Sequence, residues 1–288
     1  MPSTNAHDLE WFSHTGHRTF ELADRLYGMA LGGLSTVARI RDAEQENEFL
    51  ATWSRDTFVH RLARMAAHDM FYDESDSEPS MWDLHSATTP GEFRTVRYMS
   101  VTVALLHYRL EHVRDSFEVP SAPNAREISS DHFVNDIMLG APYEQLLHRM
   151  ADEVFHAIFP YRTLLYNLNW IAATFISELD AEMCSMDPEV AKLFARPGRL
   201  KRRTIPKWVQ RAVFFRDQGH CTYCKRDLTG LMHAMSVENY DHMVPLAEGG
   251  LNDVTNLQLL CSECNSKKSA DIIEPGDQYI RWFRSVDR

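Results

Sequence analysis

Cysteine is scarce in this chain: five residues in 288, four of them between Cys221 and Cys264. Long apolar runs are absent too. No stretch approaches the roughly 18 uncharged apolar residues that a membrane span needs. The first twenty residues carry no basic start followed by an apolar run, so they do not read as a secretory signal. No internal repeat or low-complexity tract stands out. These absences argue against a membrane protein and against a disulfide-stapled secreted scaffold. The expectation is a soluble, cytoplasmic protein whose paired cysteines serve a metal.

What is present supports a real core, with 44% apolar and 11% aromatic residues, and the length favours two domains. The net charge of -11 is unevenly spread. Residues 196–288 carry 15 Lys and Arg against 11 Asp and Glu, net +4; residues 1–195 carry 15 against 30, net -15. Only the C-terminal part has the charge to face nucleic acid.

Up to residue 195 the apolar spacing is mainly helical. Met99, Val103, Leu106, Leu110 and Val113 recur at threes and fours, as do Leu146, Met150 and Phe155. "YRTLLYNLNWIAATFISELDAEM" predicts a central buried helix. "YDESDSEPSMWDLHSATTPGEF" and "EVPSAPNAREISSD" read as turn-rich interruptions. Eleven of the 14 histidines lie here, and Glu153-x-x-His156, with Glu144 and His148 earlier on the same helix, has the spacing of half a di-iron site. No second Glu-x-x-His accompanies it, so surface and capping roles are expected. The helical face is also a candidate surface for a homo-oligomer.

Pro197 and Gly198 should end the helical part, and a basic linker follows with Lys201, Arg202 and Arg203. Those cations suit an exposed linker or a DNA-backbone contact equally. Pro206 fits the first turn of a helix over about 207–217, with Val209, Val213 and Phe214 on its apolar side. Ile280, Trp282 and Phe283 predict a terminal helix packed on the body. The expected division is therefore 1–195, a linker at 196–206, and 207–288.

Cys221-Cys224 and Cys261-Cys264 are two CxxC pairs with 36 residues between them. Each pair can give two thiolates to one tetrahedral Zn²⁺. The alternatives are reduced core cysteines or a redox pair, while Cys184 reads as a small buried thiol. Between the pairs, "SVENYDHMVP" predicts a strand, "LAEGGLNDVTN" a wide turn and "LQLL" a returning strand. A helix starting near Cys261 would place Cys261, Cys264, Asn265 and Lys268 on one face.

With Asp241-His242, Asn256, Asn265, Pro245 and Gly249-Gly250, this frame resembles the HNH endonuclease family over about 50 residues. The resemblance implies a zinc-stapled, small α+β ββα-metal domain here and says nothing of residues 1–195, which the apolar spacing makes a mainly α N-terminal domain. It also implies metal-dependent hydrolysis of DNA, with His242 as general base, Asp241 and Asn265 holding Mg²⁺ or Mn²⁺, and Asn256 tying the loop. Lys267, Lys268, Arg202 and Arg203 are the candidate phosphate contacts. Neighbouring strand residues face opposite ways, so Asp241 and His242 share one site only if the strand ends there, and His242 is expected at its end. Two other functions stay open: a non-catalytic zinc module that grips nucleic acid, and an N-terminal helical domain that carries the main activity.

Overall fold

Helices supply most of the N-terminal part, as the apolar spacing predicts. The computed structural model describes residues 15–42, 49–76, 82–89, 92–110, 125–179, 188–229, 240–269 and 271–279. In chain order come α1 (Thr19–Gly32), α2 (Leu34–Arg41) and α3 (Phe58–Asp76), then an antiparallel hairpin of β1 (Trp82–Thr89) and β2 (Glu92–Tyr98). α4 (Ser100–His107), α5 (Ala125–His132), α6 (Ala141–Ile158), α7 (Arg162–Glu178) and the single turn α8 (Pro188–Ala191) follow. α6 buries Leu146 and Met150, and α7 buries both aliphatic and polar residues along its length, as a central helix must.

Two expectations for this part need correction. The first interruption contains β1 and the start of β2, because Trp82 and the Thr pair at 88–89 favour strand once a partner strand is present. The second contains most of α5, which begins directly after Pro123 and Asn124, residues that introduce helices as readily as turns. Cys184, Val113 and the expected terminal helix around Ile280, Trp282 and Phe283 lie outside the described residues.

The chain forms two compact units, one of Met1–Glu21 with Ala66–Glu153, the other of Leu22–Met65 with Val154–Arg288. Composition places its step at 196–206, whereas the second unit takes in two earlier segments. In the first unit the Glu153 carboxylate accepts hydrogen bonds from Thr15 N and Oγ1 at 2.6 Å, Gly16 N at 3.0 Å and Thr19 Oγ1 at 2.9 Å. Burial pushes this carboxyl up, but those donors outweigh it and hold it below its ordinary range. Glu153 is thus a structural anchor. Among the described residues the only metal-competent cluster is the four cysteines at 221, 224, 261 and 264.

In the second unit β3 (Phe194–Arg196) and β4 (Arg199–Leu200) form a small hairpin, followed by chain without regular structure to Pro206. Pro206 starts α9 (Lys207–Arg216), whose Val209 and Val213 are buried. The unit then closes with β5 (Tyr240–His242), antiparallel to β6 (Leu257–Leu259), and α10 (Ser262–Lys268). Ile205, Val209, Val213, Leu228, Val254 and Leu257 form the shared core, and Cys221 and Cys261 are buried members of it. Burying these side chains contributes on the order of 1.5–3 kcal/mol each.

A buried charge joins the layers. Asp217, just past α9, takes Arg216 Nε at 2.9 Å, Arg162 Nη1 at 3.1 Å and the Leu259 amide at 2.9 Å. Its carboxylate therefore ties α7, α9 and β6 together, and removal of Asp217 would leave two buried guanidiniums without their shared counter-ion.

Candidate active site

The zinc clasp follows from local geometry. Cys221 and Cys224 sit on a tight turn after α9, and Cys261 is the N-cap of α10, its Sγ accepting the Cys264 amide at 3.5 Å. All four cysteines are unpaired by disulfide, and their Sγ atoms lie within 4.8 Å of one another. Cys224 Sγ and Cys261 Sγ are 3.7 Å apart. Four thiolates at about 2.3 Å around one ion would stand about 3.8 Å apart, so the donor set fits a tetrahedral zinc.

β5 places Asp241 and His242. Asp241 pairs with Gln258 and His242 with Leu257 across the ladder, and β5 stops at His242. The strand ends where the shared-site argument requires, and Asp241 and His242 line one cavity of about 300 Å³. Arg196, Arg199, Arg202 and Lys268 line it too. Asn265, half-buried on α10, does not, and neither do Lys267 and Arg203, which are exposed. Arg203 instead donates to the Lys192 carbonyl at 3.3 Å.

Lys268 corrects an expectation. It is 1% exposed, and its ammonium lies 2.9 Å from Asp241 Oδ2 and 3.0 Å from the His242 carbonyl oxygen. Its charge is committed inside the fold rather than offered to a passing phosphate, because it is the counter-ion of a carboxylate that is itself 9% exposed. Burial still outweighs that pairing and leaves the Asp241 carboxyl above its ordinary range. Both side-chain contacts of Asp241 fall on Oδ2, the second being Gln258 Nε2 at 3.5 Å. The other oxygen is the one available to a hard cation. The carboxylate thus fits such an ion, whereas the Asn265 amide does not reach the same cavity.

Asn256, fully buried, staples the wide loop. Its Oδ1 accepts the Val244 amide at 2.9 Å, and its Nδ2 donates to the Val244 and Leu251 carbonyls at 3.0 Å. Gly250 lets the loop close: a Cβ there would lie 2.0 Å from the Val244 oxygen. From outside the loop, Asp253 accepts the Phe58 amide at 3.0 Å and Thr255 accepts Asn169 Nδ2 at 3.2 Å.

His242 is 2% exposed, and among the described residues neither ring nitrogen has a hydrogen-bond partner. Burial, with help from the Arg202 charge, lowers its pKa to about 3, while Asn252, which approaches the ring without closing a bond of normal geometry, pulls the other way. The imidazole is therefore neutral at pH 7. The Trp53 ring lies 6.2 Å from it, centroid to centroid. Trp53 holds a left-handed φ of 51°, and its amide donates to the Asn252 carbonyl at 2.8 Å. Sequence reasoning passed over Trp53, Asn252, Arg196 and Arg199. Only the arginines carried a local signal, the Arg-Pro-Gly-Arg turn.

Residues 221–271 match the HNH endonuclease family. No curated protein and no solved structure gives a match to the chain. The HNH match runs from the first thiol to just past α10, so it encloses the clasp, β5, the loop and β6. It supports a nuclease or nucleic-acid-binding role for this segment together with a zinc site. The HNH segment does not include the β3–β4 hairpin, Trp53 or α7. Among the described residues no helix is long and apolar enough to cross a membrane.

Proposed function

We propose that this protein is a metal-dependent endonuclease that hydrolyses DNA phosphodiester bonds. The observation that carries it is that Asp241 and His242, neighbours in sequence, open on one cavity because β5 ends between them and the loop. Two adjacent residues brought to one side of a strand serve a shared ligand better than they serve the sheet.

In this mechanism His242 accepts the proton of the attacking water at one ring nitrogen, being neutral beforehand. An anionic phosphodiester in the cavity favours the imidazolium and strengthens the base as the substrate arrives. Asp241 would offer its unpaired oxygen to Mg²⁺ or Mn²⁺, an ion that would supply charge stabilisation to the phosphate; Asn265, which does not line the cavity, has no part in holding it. Asn256 keeps the loop closed and so holds the orientation of His242. Lys268 sets the position of Asp241 and of the His242 backbone. Arg202 offers a fixed positive charge beside both. The four cysteines brace β6 and α10 through zinc and stay out of the chemistry.

A rival function is favoured by a specific observation: His242 is buried and Asp241 is already paired with Lys268. On that view the zinc-clasped unit grips nucleic acid without cutting it. Supercoiled-plasmid cleavage with Mg²⁺ or Mn²⁺, run on the intact protein and on His242→Ala, separates the two. Loss of a general base should slow cleavage by about 10² to 10⁴-fold while zinc content stays the same. Binding of plasmid without cleavage by either protein would favour the rival.

A further inference from the structure

The cavity that holds Asp241 and His242 has a second wall outside the HNH match. Arg196, Arg199 and Arg202 line it, and all three are exposed. Among the described residues none of their side chains has an ion-pair or hydrogen-bond partner. That is unusual in a chain where acids outnumber bases 41 to 30.

The hairpin also places like charges against each other. Arg196 and Arg199 are direct partners in the register of β3 and β4, and opposed like charges destabilise a strand pair. The turn forces this arrangement. Pro197 and Gly198 occupy its two central positions, and Gly198 takes a φ of 70°, the conformation that the second central residue of a type II turn requires. The two arginines then fall at its first and last positions. Among the described residues no acidic side chain pairs with either arginine to offset their repulsion, whereas an anion in the cavity would. A guanidinium presents a rigid fork of donors that matches a phosphate's oxygens, and a concave wall of one sign concentrates its field.

We propose that the β3–β4 hairpin is the phosphate-gripping wall of this site, with Arg196 and Arg199 holding backbone phosphates of nucleic acid beside the one presented to His242. This rests on the nuclease function proposed above. The wall replaces Lys268, whose charge is committed to Asp241, as the source of free positive charge at the site.

The test uses binding, so that it reads out even if cleavage fails. A fluorescent duplex of about 30 base pairs is titrated into His242→Ala protein, and into the same protein carrying Arg196→Gln and Arg199→Gln, across a salt series. A third protein with Lys207→Gln and Arg211→Gln, on α9, loses the same charge elsewhere. Zinc content and thermal melting verify the fold of each. The expected result is at least a tenfold loss of affinity for the hairpin variant and a fall of about 2 in the slope of log K against log salt, with the α9 variant little changed. Equal losses in the two variants would reduce the effect to net charge and overturn the proposal. So would an unchanged slope in the hairpin variant, or no duplex binding by any of the three. Plasmid cleavage by the wild type, run alongside, judges the nuclease function separately. Cleavage with an unchanged slope rejects only the wall; a changed slope without cleavage keeps the wall as a binding site and rejects the nuclease.

Discussion

Lys268 Nζ lies 2.9 Å from Asp241 Oδ2, and both side chains are nearly inaccessible to solvent. The last turn of α10 is thereby fastened to β5 at the residue proposed above as an oxygen donor. An ion pair of this depth is a poor source of net stability but a strong constraint, since each partner is costly when left alone.

A double-mutant cycle follows from that pair. Lys268→Met and Asp241→Asn should each destabilise the folded protein by about 3 kcal/mol, because each strands a buried charge. The double variant should recover most of the loss, since no charge then remains to be compensated. Urea unfolding of the four proteins measures the coupling. Additive single effects would show that the pair is not the constraint proposed.

Asn256 makes three hydrogen bonds to the loop backbone, and Asn256→Ala removes all of them at once. Each buried group left unsatisfied costs about 1 kcal/mol or more, so the loss should reach about 3 kcal/mol. Cleavage should fall with it, because the loop runs directly into His242. Urea midpoints give the first quantity and plasmid assays the second. A loss below about 1 kcal/mol would mean that the Phe58 and Asn169 contacts hold the loop without Asn256.

How much of this was legible in the sequence depended on whether the deciding partner was near in the chain. The clasp, β5, β6 and α10 could be placed because ligand spacing is a local property, and the end of β5 at His242 followed from a local conflict between strand pleat and shared chemistry. Helical spacing puts Lys268 on the Cys261 face, but spacing does not say that a carboxylate 27 positions earlier will take its charge. Trp53 lies 189 positions before His242, and nothing around it signals that contact. The arginine hairpin was written in Arg-Pro-Gly-Arg, yet Pro and Gly there also end helices. β1 and β2 were hidden for a similar reason, because turn formers flank strands whose stability comes from pairing with each other.

The four-thiol cluster should bind one zinc per chain. Cys264→Ala should lose that metal, and a strong chelator should do the same to the wild type, because binding free energy at such a site is folding free energy. Since Cys221 and Cys261 are also buried in the core, loss of zinc should lower the melting temperature as well as the activity. Metal analysis with thermal melting is the measurement. A zinc-free protein with an unchanged melt would make the cysteines ordinary core residues.

Gly250→Ala tests the loop closure. The added methyl would meet the Val244 carbonyl oxygen at 2.0 Å and the Pro245 oxygen at 2.9 Å, and neither is a flexible side-chain end. The backbone must shift, at a cost of more than about 2 kcal/mol. Gly276→Ala, where nothing lies within 4 Å, is the control and should be close to neutral. Equal melting temperatures for the two variants would show that the loop can open without strain.

His242 links folding to pH in a direction that can be worked out. Its imidazole titrates near 6.5 when unfolded, while burial and the Arg202 charge bring it to about 3 in the folded protein. Between those values the unfolded chain holds a proton that the folded chain does not. Stability from this residue is therefore fully present above about pH 6.5 and is lost progressively as pH falls from 6.5 towards 3. His242→Gln cannot take up that proton, so its unfolding midpoint should decline less steeply over the same range. Acid also weakens zinc binding by thiolates, but it does so in both proteins, and the difference between their pH profiles isolates the histidine. Parallel profiles from pH 7 to 4 would mean that the ring meets solvent or a partner that charges it normally, and the neutral, buried base of the proposed mechanism would have to be abandoned.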